Sequence, residues 1–292
     1  MKKFLIASAA LAALIATPAL AADMALKAPP PRPAPLCTWC GWYVGVNAGG
    51  TWLQNDAVQT VGTPAFAAAT FAAESVVGAA LATNSLGTKR AGFIGGAQIG
   101  YNYQLTSTVI GFEADIQGIA GGHGSNSLAG VSAVPGFPTE TFSSVATVSK
   151  SLDYLGTVRG RFGVLANPSL LAYGTGGLAY GGVKSTTNIS QSDTGILPGP
   201  ATATYSGTGT SNTTRAGWTL GGGFEWMLGQ NWSAKVEYLY YNLGKVTYGV
   251  GPLVANAPGF PAPTWVVNAQ STTRFDGNIA RIGLDYHFGG PK

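Results

Sequence analysis

The chain has 292 residues, of which 46% are hydrophobic and only 10% charged, with 43 glycines and a formal net charge of +4. A soluble domain carries about 25% charged residues, so this chain has little to keep it in water. The near balance of signs excludes the basic footprint of a nucleic-acid binder, and the two cysteines and two histidines offer no zinc-ligand set.

Residues 1–21 read as a secretory signal peptide. Lys2 and Lys3 lead an apolar run, Phe4 to Ala16, and Ala19 and Ala21 form a small-residue cleavage site. Residues 22–40 read as a proline-rich periplasmic arm, extended over Ala28 to Pro35 because proline supplies no ladder donors. The arm ends in Cys37 and Cys40, spaced C-x-x-C. A thioredoxin-like redox pair belongs at a helix start in a βαβ unit, which is not the pattern here. In an oxidising compartment a local disulfide is the expected fate, with free or intermolecular thiols as the alternative.

From Gly41 onward the period is two. Trp42, Val44, Val46, Ala48 and Trp52 share one face of a first strand, with Asn47 and Thr51 on the other. A connection of about 35 residues follows; its segment Pro64 to Thr83 is alanine-rich and predicts a short surface helix rather than a span, since Glu74 interrupts it. A second strand covers Gly92 to Tyr103, and a tight turn leads to a third in which Ile110, Phe112, Ala114 and Ile116 alternate with Gly111, Glu113, Asp115 and Gln117. After a Gly/Ser/Pro-rich loop, a fourth (Leu152 to Val164) sets Val158 and Phe162 against Arg159 and Arg161. The fifth, Leu170 to Tyr180, has no readable phase. The sixth ends in Glu225 and Trp226; the seventh alternates Trp232, Ala234, Val236 and Tyr238 with Ser233, Lys235 and Glu237. The eighth alternates Ala280, Ile282, Leu284, Tyr286 and Phe288 with Arg281, Gly283, Asp285 and His287. Residues 289–292 form a short tail.

Short and long connections alternate strictly. A soluble sandwich buries its apolar face and wets the other; strands greasy on one face and charged on the other, in a chain this apolar, suit a closed membrane barrel. The predicted fold is therefore all-β: an eight-stranded antiparallel transmembrane β-barrel over residues 41–288, with short periplasmic turns, long extracellular loops and both termini periplasmic. Trp42, Tyr103, Phe162, Trp226, Trp232 and Phe288 lie at the short-turn side and Trp52, Tyr154, Trp218 and Tyr240 at the other, which predicts two aromatic girdles. Glu113, Asp115, Arg159, Arg161, Glu225, Lys235, Glu237, Arg281 and Asp285 point inward and predict a lumen ion-pair network, because an unpaired charge there is costly.

The runs GWYVGVNAGG, GFIGGAQIGYNYQ, GFEADIQG, LGTVRGRFGV, YGTGGLAYGG, GWTLGGGFEW, AKVEYLYYNLG and IARIGLDYHF resemble the strands of the small outer-membrane immunogenic proteins of alphaproteobacteria. These belong to the outer-membrane-protein-A-like barrel group, often labelled the porin family, and the resemblance covers Gly41 to Phe288. It implies a structural or surface role in the envelope. The implied partners are outer-membrane lipid and lipopolysaccharide, the barrel assembly machinery through the C-terminal strand, and surface ligands at the loops.

Other chemistry is weaker. Gly174 to Ala179 fits the dinucleotide fingerprint G-x-G-x-x-[GA], with Asp193 about 20 residues on, but no helix follows it. His123 lies in a glycine-rich loop and His287 at the periplasmic end of a strand, too far apart for one catalytic site. No enzyme and no cofactor are expected. A narrow solute channel, a surface adhesin and an outer-membrane hydrolase are the alternatives to a structural role.

Overall fold

The computed structural model describes residues 37–88, 91–195, 202–257, 259–260 and 263–288. The signal peptide, most of the proline-rich arm and the tail after Phe288 lie outside these residues. Within them are β1 (Gly41–Leu53), β2 (Ala57–Phe66), α1 (Ala72–Ala82), β3 (Asn84–Gly87), β4 (Ala91–Leu105), β5 (Thr108–Ala120), β6 (His123–Val134), β7 (Phe137–Asn167), β8 (Leu170–Thr194), β9 (Thr202–Met227), β10 (Trp232–Ala255) and β11 (Trp265–His287). Eleven strands therefore replace the eight that the sequence pattern predicts.

All pairings are antiparallel and run β1-β4-β5-β7-β8-β9-β10-β11, and β11 pairs in turn with β1. Opposite Val44, for example, stand Ile99 of β4 and Tyr286 of β11. The connections at one end are tight. Thr106 adopts a φ of 52° between β4 and β5, Asn167 accepts the backbone N–H of Ser169 between β7 and β8 at 2.9 Å, and Leu228 donates to Trp232 between β9 and β10 at 2.8 Å.

Between the levels of Trp42 and Trp52 the molecule is inside-out. Val46, Phe93, Ile99, Phe112, Val158, Leu220 and Ile282 are exposed, while Asn47, Gln98, Glu113, Arg159, Lys235, Arg281 and Asp285 are buried. Only a hydrocarbon solvent makes that arrangement favourable. From Trp42 to Trp52 the strand covers about 33 Å, which at a tilt of about 45° spans roughly 24 Å, the height of a lipid-facing band. Aromatic rings touch at both ends of these strands: Trp42 with Tyr101 at 5.3 Å, Trp232 with Tyr286 at 5.2 Å and Trp218 with Tyr240 at 5.3 Å between centroids.

Glycine shapes the wall. A Cβ on Gly49 would lie 2.2 Å from the carbonyl oxygen of Ala280, and one on Gly177 2.2 Å from that of Val158. The fingerprint-like run from Gly174 to Ala179 thus sits inside β8, where small residues let neighbouring backbones approach.

The segments read from the sequence as long loops are mostly not loops. β7 to β11 continue well past the second girdle, and their outer face changes character there. On β8 it passes from Ala172 and Leu178 to Lys184, Thr186, Asn188 and Ser190; on β9 it becomes Thr202, Thr204, Ser206, Thr208 and Thr210. The β9–β10 ladder stops at Asn242 opposite Trp218, whereas β8–β9 and β10–β11 run on. With β6 added to β7, and β2 and β3 added beside β11, this head consists of β6-β7-β8-β9 and β10-β11-β2-β3. Its core is apolar, including Phe71, Phe142, Val148, Ile189, Val250, Leu253, Trp265 and Val267. The predicted surface helix is a correction of the same kind: α1 forms, but Val77, Gly78, Ala79 and Ala82 are buried in that core. Alternating alanine and threonine carry too weak an apolar signal to reveal which face is covered.

Three carboxyls are buried in the head, outside the membrane-spanning residues: Glu74 of α1, Glu140 of β7 and Asp193 of β8. Burial, aided by the neighbouring Glu140 and Glu74, pushes the Asp193 carboxyl up to about 8. Burial also raises Glu140 and Glu74. A raised carboxyl holds its proton in the folded head and releases it in the unfolded chain. The contribution of these carboxyls to the head's stability is thus fully present below the ordinary carboxylate range and is lost as pH rises through the folded value. The head of the wild-type protein is expected to be more resistant to proteolysis at pH 5 than at pH 9, and Asp193→Asn to flatten that dependence. Equal cleavage rates at both pH values in the wild type would contradict the arrangement.

Candidate functional site

The lumen is the densest chemistry in the molecule. Inward positions on five strands bring together all nine charges that the sequence pattern points inward, each almost fully buried. Register explains which meet. β5 and β7 set Glu113 opposite Arg159 and Asp115 opposite Thr157, while Arg161 falls opposite Gly111, one step nearer the short turns.

Arg159 is the hub. Its Nη2 donates to Glu113 at 2.5 Å and Asp115 at 2.8 Å, and its Nη1 to Glu237 at 2.8 Å. Arg281 reaches Glu237 at 2.5 Å, Asp115 at 2.9 Å and Glu113 at 3.5 Å. Lys235 donates to Glu113 at 2.6 Å and approaches Asp285 at 3.5 Å. Half of these contacts cross the lumen between strands that are not neighbours, such as β7 to β10 and β10 to β5. Arg161 does not join Glu113 and Asp115, as adjacency of strands alone would allow; its lower level pairs it with Glu225 of β9 instead.

Neutral side chains complete the network. The Tyr43 hydroxyl donates to Glu113 at 2.7 Å, Gln98 to Asp285 at 2.5 Å and Ser233 to Glu225 at 2.5 Å. Arg161 lies over the Tyr173 ring, 3.7 Å from its centroid. Buried His287 sits 2.9 Å from Ser233 and 3.2 Å from Glu225. Tyr43, Gln98 and Ser233 share the strand parity of the charges, which is the signal that marks them. Tyr173 has no such mark, because both faces of Leu170 to Tyr180 are small or apolar; burial of Leu171, Tyr173, Thr175 and Ala179 reveals its inward face.

Packed layers close the lumen on both sides. Toward the head lie Ile94, Leu152, Leu155, Leu239, Tyr241 and Phe275. At the short-turn end, Cys37 and Cys40 are bonded, with Cα atoms 5.5 Å apart. The turn they form buries Trp39, whose Nε1 donates to the Pro168 carbonyl at 3.2 Å and whose ring meets His287 edge-on at 5.9 Å. Residues 37–40, the end of the proline-rich arm in the sequence reading, cap the strands. His123 stands apart on the exposed face of β6, bordering a small cavity with Lys184 and Asp153.

Buried charges in this geometry are costly to strip singly: removing one partner of such a network destabilises by about 3–5 kcal/mol. Arg281→Ala is expected to lower the urea midpoint markedly, whereas Lys245→Ala, on an exposed position of β10, leaves it nearly unchanged. Coincident midpoints would rule out a load shared by these pairs.

Residues 7–288 match the family described as outer membrane protein beta-barrel domain. The 31 kDa outer-membrane immunogenic protein of Brucella melitensis biotype 1 is 39% identical over 302 residues, covering 99% of this chain and all of that protein. The 25 kDa outer-membrane immunogenic protein of the same organism is 28% identical over 294 residues, with 99% of each chain covered. Among solved structures, the outer membrane protein OprG from Pseudomonas aeruginosa aligns over 86% of this chain and 97% of its own at 12% identity, with a TM-score of 0.40.

Proposed function

The chain belongs to the outer-membrane β-barrel family, and on that premise we propose that it is a closed-lumen anchor displaying a folded β head at the cell surface. In this reading residues 41–288 form the barrel domain, and eight strands (β1, β4, β5, β7, β8, β9, β10 and β11) cross the membrane as a closed cylinder. β2, β3 and β6 belong to the head. The short turns and both chain ends face the periplasm, and the head faces outward. Residues 1–21 are the export signal, residues 22–40 a periplasmic arm whose last turn stoppers the barrel, and residues 289–292 a short tail. Lipid and lipopolysaccharide surround the wall, the assembly machinery engages β11, and surface ligands meet the head.

The observation that carries the reading is the filled lumen. An eight-stranded interior is just wide enough for side chains, and here Arg159, Lys235 and Arg281 are each held by two or more carboxylates. Solute passage would have to break several charge-assisted bonds at once. That its relatives are named as immunogenic outer-membrane proteins supports surface display.

Purified wild-type protein in planar bilayers is expected to give no discrete conductance above background, and protease added to intact cells to trim the head but spare the strands between the girdles. Reproducible single-channel steps in the wild type would replace the anchor with a channel. Complete protection of the head on intact cells would reverse the orientation.

A further inference from the structure

The apolar core of the head encloses a group of ionisable side chains that come from three different elements. Glu74 of α1, Glu140 of β7 and Asp193 of β8 are each no more than 3% exposed. Phe142 stands opposite Asp193 across the β7–β8 ladder, so Glu140 and Asp193 are diagonal neighbours on the inner face. Burial raises all three carboxyls; the nearby Glu140 adds to the rise of Glu74, and Glu140 and Glu74 add to that of Asp193.

No base answers their charge. Among the described residues α1, β2, β3 and β6 carry no lysine or arginine. The first bases on β7 and β8 are Lys150 and Lys184, ten residues from Glu140 and nine from Asp193, or about 30 Å of extended strand. On β9, β10 and β11 they are Arg215, Lys245 and Arg274, at the foot of the head. The only other titratable group turned toward the cluster is the Tyr205 phenol, which burial holds above its ordinary range and therefore uncharged.

Donors are missing as well. Glu74 Oε2, Glu140 Oε1 and both Asp193 carboxylate oxygens are buried without a hydrogen-bond partner, as is Oε1 of Gln191, two residues before Asp193. Buried acceptors in such excess are costly, and more so as anions. Protons change the balance, because a protonated Asp193 becomes a donor to Glu140.

Of the three elements, α1 is the one that can yield. β7 and β8 are locked together by a ladder that runs from Asn167 and Leu170 to Thr141 and Thr194. The buried face of α1 is instead Glu74, Ser75, Val77, Gly78, Ala79 and Ala82, with Val77 its only branched apolar side chain. Short side chains let the helix sit close: a Cβ on Gly78 would lie 3.0 Å from the Phe142 ring and 3.1 Å from the Tyr205 hydroxyl. Its polar fastenings are few. Ser75 Oγ lies 3.0 Å from the Ala65 carbonyl oxygen and 3.1 Å from that of Val266, and Gln191 Nε2 donates to the Gly78 carbonyl at 2.8 Å. Glu74 stands in the first turn, where free N–H groups favour its ionised form, and that charge faces two further carboxyls.

We propose that α1 is a proton-operated lid of the head: protons on Glu74, Glu140 and Asp193 keep it seated over the core, and their loss releases it and bares Phe142, Trp265 and Val267 to solvent. Rising pH puts like charges into a core without donors, so the lid is shut in acid and open in alkali. The lid works whichever side of the membrane the head faces.

The test follows hydrogen exchange in the full mature protein, folded in a neutral detergent, with rates corrected for the intrinsic pH dependence of amide exchange. Heat-modifiable gel mobility confirms folding of the barrel in every variant. Amides of α1 are expected to lose protection at least tenfold between pH 6 and pH 9, while those of Ala172 to Tyr180 in the barrel wall do not change. The triple variant Glu74→Gln/Glu140→Gln/Asp193→Asn is expected to keep α1 protected at both pH values. Asp193→Asn alone is expected to shrink the pH effect, which decides the matter should the triple variant not fold. Val77→Ala is expected to lower protection at both pH values and leave their ratio as in the wild type. Equal protection of α1 at pH 6 and pH 9 in the wild type, or an undiminished ratio in Asp193→Asn, would overturn the lid. Simultaneous loss along Val145 to Val148 and Thr187 to Gln191 would show melting of the whole head instead. Recovery of protection at pH 9 on adding millimolar calcium, reversed by a chelator, would replace the protons with a bound cation and refute the proposal.

Discussion

Charge cannot face hydrocarbon, and a barrel this narrow has only one other place to put it. Every property of the membrane-spanning half follows from that exclusion. Strand alternation sends Glu113, Asp115, Arg159, Lys235, Glu237 and Arg281 into one small volume, where each needs an opposite charge within hydrogen-bond reach. Arg159 meets three carboxylates and Arg281 three, so the inward charges hold together strands from around the ring rather than only neighbours along it. The network is a cross-brace whose members are kept by the cost of leaving any one of them alone.

Beyond the second girdle the solvent changes, and so does the logic of the same strands. On β8, outward Leu178 gives way to outward Lys184 and Asn188, while inward Thr175 gives way to inward Val183 and Ile189. The head is an ordinary apolar core between wet faces, and the barrel is its inverse. Both are written on continuous strands, as with the 31 residues of β7, so the transition needs no hinge. Where the ladder between β9 and β10 ends, Arg215 supplies a donor to the freed Lys245 carbonyl.

The two ends of the lumen are closed by different means. At the head side, Leu152, Leu155, Leu239 and Phe275 form a dry layer. At the short-turn side, the disulfide-linked turn holds Trp39 against Val109, Leu171 and Tyr173. An ionic layer between two apolar ones keeps its low dielectric, and with it the strength of every pair inside.

The sequence by itself determined the period-two strands and the exclusion of charge from one face, because these depend only on local alternation in a given solvent. The nine lumen charges were legible for the same reason: parity places them without any knowledge of register. Tertiary structure alone decided the rest. Which carboxylate Arg161 meets depends on the stagger of β5 against β7 and on what stands across the lumen, and no local pattern contains either. The phase of β8 was hidden because glycine and alanine are equally at home on both faces. The head was hidden because its threonine- and alanine-rich strands bury modest side chains, and only packing of α1 and Trp265 against strands distant in sequence turns those segments from loops into a core.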